Sequence, residues 1–218
     1  MITASRLIPL WLKIAYTAFM AVLIPVYLKN YGPTNFLYFC DVVAILTIYA
    51  IWVESPLLLS AALVGSFLPQ MLWVVDFVCQ AAGYTLTGMT SYMFQPPFFL
   101  RFLSFFHFWL VFLLIYLVWR VGYDKRGLPL WVAIMWVLLT VCYAWMPPPS
   151  PSVDPVTKQV LRDPNMPVNI NYVWGPSDNA AQTWVSPHVW LAGMMIGMPL
   201  LLFWPVHILL SRYAPRPA

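Results

Sequence analysis

The sequence has 218 residues, of which 62% are hydrophobic and 8% charged, whereas a soluble domain carries roughly 25% charged residues. So few charges cannot cover a water-facing surface, and an ordinary soluble globular domain is excluded. The net charge of +4 is scattered over apolar segment ends and forms no stripe, so nucleic acid is not an expected partner and anionic lipid headgroups are.

A membrane-crossing helix needs roughly 20 mostly apolar residues. Such runs lie at about 7 to 28, 36 to 53, 56 to 80, 98 to 120, 128 to 146 and 189 to 211. They predict an all-α, polytopic helical membrane bundle of about six transmembrane helices in a single domain over residues 1–218. The 12 Trp, 12 Tyr and 14 Phe suit helices whose ends sit among headgroups. The first run follows Arg6 and continues to Leu28 with no small-residue cleavage site, and it reads as a retained span.

Spans two and three are separated only by Glu54-Ser55-Pro56, a tight polar turn that predicts an antiparallel hairpin. Six spans place both termini on one side. That side receives Arg120, Lys125, Arg126, Arg212 and Arg216, while Lys29, Lys158 and Arg162 on the other are offset by Asp154, Asp163 and Asp178. The positive-inside rule then puts both termini in the cytoplasm, and a bacterial inner membrane is the expected location. The outer side holds residues 81–97 and the longest polar stretch, 147–188. That stretch opens with MPPPSPSVDP, which is stiff and extended. Its later part, NINYVWGPSDNAAQTW, is expected to fold back over the helices.

Ionisable residues within a span are costly and are functional candidates by default. Cys40 and Asp41 fall near the outer end of span two, Asp76 near that of span three, and Arg101 and His107 in the outer half of span four. At 1.5 Å per residue, Cys40 lies roughly 6 Å and His107 roughly 14 Å along their helices, close enough for one outer cavity. A thiol and an imidazole together suit nucleophilic acyl transfer, in which His removes the thiol proton and an acyl-cysteine forms. Asp76 is the expected acid behind the imidazole, because Asp41 points about 100° away from Cys40 round the helix. Arg101 is expected to hold a lipid phosphate.

Each residue also has a plainer reading. A single Cys in an apolar helix packs as a small hydrophobe, Arg101 can snorkel to the surface, and Asp41 and Asp76 can be structural partners of Arg101 or of Asn and Tyr groups. His188 and His207 read as interfacial, and Cys79 and Cys142 as packing residues. The three cysteines have no paired spacing, so neither a disulfide framework nor a metal site is indicated, and no cofactor is expected.

The run Phe39-Cys40-Asp41-Val42-Val43-Ala44-Ile45-Leu46, followed by Gly65, Pro69-Gln70, Arg101-Phe102 and His107, resembles the YwaF-like integral membrane proteins. Asn169-Ile170-Asn171-Tyr172-Val173 is similar to that family's Asn-x-Asn-Tyr block. Members often carry a His shortly before the Cys-Asp pair, where this chain has Tyr38-Phe39. The resemblance covers about Asn35 to Leu210 and implies a membrane acyltransferase or hydrolase with Cys40 as nucleophile and His107 as base. Asn169, Asn171 and Tyr172 would then supply donors to a developing oxyanion or tie the outer loop down. Two other functions fit the composition. One is a non-catalytic subunit that binds pigment, quinone or lipid beside other membrane subunits, and the other is a proton-relaying transporter using Asp41, Asp76 and His107.

Overall fold

The computed structural model describes residues 7–217 apart from Pro96, Pro155 and Pro164; Arg6 lies outside the described residues. Six helices carry the chain: α1 (Leu10–Tyr31), α2 (Phe39–Val53), α3 (Pro56–Ala81), α4 (Phe98–Val121), α5 (Gly127–Trp145) and α6 (Pro187–Tyr213). All but α2 are long and apolar enough to cross a membrane. At 15 residues, α2 reaches only about 22 Å, and a 3₁₀ turn over Pro33–Leu37 leads into it.

Helix α3 is the axis of the bundle and packs on α2, α4, α5 and α6. Its sequence explains why, since Ser60, Ala61, Ala62, Gly65 and Ser66 form a run of small buried residues over which neighbouring backbones approach closely. A Cβ added at Gly65 would fall inside the Trp131 indole of α5, and one at Gly127 would lie 2.7 Å from Ser60 Cβ. Helix α6 is the opposite case. Of its apolar window 11% is buried, against 56% for α3, so most of its circumference faces outward.

Helix interruptions have identifiable partners. Pro199 cannot donate to the Met195 carbonyl, which instead accepts from Trp136 Nε1 at 2.9 Å, and a π-helical stretch over Pro199–Phe203 absorbs the mismatch. Helix α4 breaks at Phe105 between its segments Phe98–Ser104 and Phe106–Val121. Beside the break, Ser104 Oγ meets the Tyr27 hydroxyl at 2.6 Å.

Hydrogen bonds fix which loops share an end. Glu54, in the left-handed conformation that closes α2, accepts from the Leu7 and Ile8 amides at 3.0 and 3.2 Å and from Lys13 Nζ at 2.6 Å. Arg120 donates twice to the Leu7 carbonyl, and the Tyr123 amide donates to the Pro215 carbonyl. The two described chain ends therefore lie at one end of the bundle, with the 54, 120 and 215 regions. The described residues of 82–97 and 146–186 cover the other end. Glu54→Ala, which leaves the 4% exposed Lys13 without a counter-charge, is expected to cost about 3 kcal/mol. Thermal unfolding in detergent checks this, and the double variant Lys13→Met/Glu54→Leu should recover most of the loss.

Candidate functional site

A cavity of about 910 Å³ lies between the helices at the long-loop end. Cys40 and Asp41 line it from the start of α2, where the helix begins directly after Tyr38. Arg101 and His107 line it from α4, and Gln70 and Trp73 from α3 just past Pro69. Asn171 and Tyr172 close it from the long loop. Leu72 and Val75 line the cavity and yet stay 44% and 46% exposed on the bundle surface, so its apolar wall reaches the face that meets lipid.

Cys40 and His107 are thus brought to one cavity, on facing helices. Both are half-buried. Among the described residues no hydrogen bond joins them, and the imidazole instead lies against Trp73 and Phe106, with centroids 5.2 and 4.1 Å apart.

Asp76, expected as the acid behind His107, is occupied elsewhere. Its Oδ1 accepts from Thr87 N at 2.7 Å, Thr87 Oγ1 at 2.8 Å and Gly88 N at 3.2 Å. Its Oδ2 accepts from Thr90 N at 3.0 Å and Thr90 Oγ1 at 2.6 Å. Five donors leave no lone pair for an imidazole, and Asp76 is not among the groups that line the cavity. The reason is positional. Near the C-terminal end of α3 a carboxylate opposes the helix dipole, and the amides and hydroxyls of residues 87–90 fold onto it in compensation.

Arg101 pairs with neither expected carboxylate. It donates from Nε to the Gln95 carbonyl at 3.1 Å and from a terminal nitrogen to the Tyr31 hydroxyl at 3.1 Å, and it lies 5.2 Å from the Tyr92 ring centre. Asp41 is 3% exposed, and one of its oxygens accepts from Asn35 Nδ2 at 2.9 Å.

The Asn-x-Asn-Tyr block does fold back onto the helices. Asn171 Nδ2 donates to the Leu37 carbonyl at 2.9 Å and to Cys142 Sγ at 3.5 Å, while its Oδ1 accepts from the Phe39 amide at 3.1 Å. One carboxamide therefore satisfies an otherwise open amide at the start of α2. Asn169 Nδ2 donates to the Gly175 and Ser177 carbonyls, and its Oδ1 accepts from the Trp174 amide. With their polar atoms committed to the backbone, Asn169 and Asn171 hold the loop and have little to offer an oxyanion. Their left-handed φ values of 48° and 58° are the kind that asparagine tolerates. Above them Asp178 and Arg162 line the mouth, where burial pushes the Asp178 carboxyl up although the Arg162 charge and Asn169 pull it down.

Gln70 is a polar cavity residue to which sequence reasoning gave no role. A carboxamide inside an apolar run is costly enough in a membrane to have marked it.

Asn171→Ala should free the loop from α2 by leaving the Phe39 amide and the Leu37 carbonyl unpaired, at roughly 2 kcal/mol. Hydrogen exchange is expected to rise over residues 37–41 and 165–175, and alkylation of Cys40 by a water-soluble maleimide to quicken. No family model, curated protein or solved structure matches the chain, and its function has to be read from the residues that line this cavity.

Proposed function

We propose that the chain is a membrane-embedded acyltransferase or ester hydrolase acting on lipids, with Cys40 as nucleophile and His107 as base. The observation that carries this reading is the presence of both groups on one cavity whose wall is apolar on the lipid side and cationic at Arg101. An amphiphile matches that polarity, with its phosphate at the guanidinium and its acyl ester between thiol and imidazole.

In the proposed reaction the thiol proton passes to His107 through a water while sulfur attacks the ester carbonyl. The carbon–oxygen bond breaks, the departing lysolipid oxygen takes the proton back from the imidazole, and an acyl-Cys40 thioester remains. A second lipid hydroxyl, or water in the hydrolase case, then attacks the thioester and returns the proton to sulfur. Asp76 has no part in this scheme. The resemblance to the YwaF-like proteins supports the same assignment of Cys40 and His107. The basic residues near the chain ends support a cytoplasmic location for both termini.

A second reading is a non-catalytic subunit, and the outward-facing surface of α6 favours it. The two separate by experiment. Cys40→Ala and His107→Ala are each expected to abolish turnover of a fluorescent phospholipid by purified protein in nanodiscs. The double variant should be no worse than either, since residues acting as a unit are not additive. Cys79→Ala should keep full activity. Acyl-Cys40 found by mass spectrometry would support the mechanism, full activity in Cys40→Ala would end it, and no turnover of any lipid class by the unmodified protein would favour the subunit reading.

A further inference from the structure

Among the described residues, three side chains that line the cavity, Asp41, Gln70 and Trp73, have buried polar atoms with no hydrogen-bond partner. Among the described residues, Asp41 Oδ1 and both Gln70 Nε2 and Gln70 Oε1 are fully buried and make no hydrogen bond. Each residue is 3% exposed, and each lines the same cavity. An unpaired buried polar group costs about 1–3 kcal/mol, and more where it is charged. The carboxylate lacks a donor, and the carboxamide lacks both a donor and an acceptor.

Arg101 lies in the same cavity with spare capacity. Its two hydrogen bonds, to the Gln95 carbonyl and the Tyr31 hydroxyl, come from Nε and one terminal nitrogen, and a guanidinium has five N–H donors. Arg101 donates to the Tyr31 hydroxyl, and both share the cavity with Asp41 and Gln70. A ligand that places an anion on Arg101 and satisfies Asp41 must carry its donors on the same headgroup as that anion.

We infer that the cavity selects phospholipids whose headgroup bears O–H or N–H donors, with the phosphate on Arg101 and the donors on Asp41 Oδ1 and Gln70. It discriminates against trimethylammonium headgroups. A choline headgroup brings phosphate and positive charge but no donor, and it would leave Asp41 Oδ1 and Gln70 Oε1 without a partner. Sites built to hydrogen-bond a ligand group reject the analogue lacking it far more strongly than apolar pockets reject a change of size. The inference rests on the proposed lipid occupancy of the cavity but not on any reaction at Cys40.

The full-length protein in detergent is titrated with phosphatidylethanolamine, phosphatidylglycerol and phosphatidylcholine of identical acyl chains, and native mass spectrometry reads the bound fraction. At least one donor-bearing headgroup should bind about tenfold or more tighter than choline, and its identity tells whether ammonium or hydroxyl is the donor. Gln70→Met, which keeps the length of the side chain, and Asp41→Asn should each bring that ratio to within about threefold. Arg101→Gln should weaken all three lipids alike. Size-exclusion profiles and thermal unfolding verify that each variant is folded, and Gln70→Leu replaces any that is not. Equal binding of the three lipids by the unmodified protein would overturn the inference while leaving the lipid site standing. A preference that survives in both the Gln70 and Asp41 variants would also overturn it. Absence of binding by all three would overturn this inference and the proposed function together.

Discussion

Hydrocarbon offers no hydrogen bonds, so every polar group that a span carries inward must find its partner within the chain or in a ligand. That constraint organises the molecule. It explains why the carbonyl left free by Pro199 is taken by Trp136, why Ser66 donates to the carbonyl one turn back at Ala62, and why Tyr16 reaches the Ala44 carbonyl on α2 at 2.9 Å. Among the described residues the buried side-chain atoms left open are the indole N–H groups of Trp73, Trp131 and Trp174 and the atoms of Asp41 and Gln70, and the last two are the places where a donor from outside the chain belongs.

The same constraint shapes the loops at the cavity end. They are not loose connections but folded covers, each gathered round one side chain. Residues 87–90 close on Asp76, and residues 169–177 close on Asn169 and are anchored to α2 by Asn171. Because Asn171 caps the same turn of α2 that carries Cys40 and Asp41, the loop and that turn are tied together. The geometry of the cavity therefore depends on a segment far away in sequence, and a defect in the loop is felt at the thiol.

Much of the architecture is legible in the sequence because apolar runs of span length have few other uses. The turn at Glu54 is equally legible, since a charged residue ahead of Ser55-Pro56 can only end one helix and start the next. The meeting of Cys40 and His107 on one cavity follows from depth and antiparallel order alone. The role of Asp76 does not, because its partners lie in a loop whose turns depend on left-handed Gly83 and Gly88. Its depth in the span made it look like a neighbour of His107. The partners of Arg101 are hidden in the same way, because a tyrosine hydroxyl and a backbone carbonyl serve where a carboxylate would. Hydropathy is blind to the break at Phe105, in the aromatic run FLSFFHFWL, since only Ser104 and His107 interrupt the apolar residues on either side.

The unequal burial of α3 and α6 has a consequence for how such a chain can change over evolutionary time. Where Ser60, Ala61 and Gly65 touch α5, any larger residue collides with a neighbour, and substitution is confined to a narrow alphabet of small side chains. On α6 a side chain added at Gly193 or Gly197 meets nothing within 4 Å, so its outer face is free to drift among apolar residues at almost no structural cost. Homologous chains will differ most along α6 and least along the middle of α3, and an invariant residue on the outward face of α6 would point to selection by something other than folding.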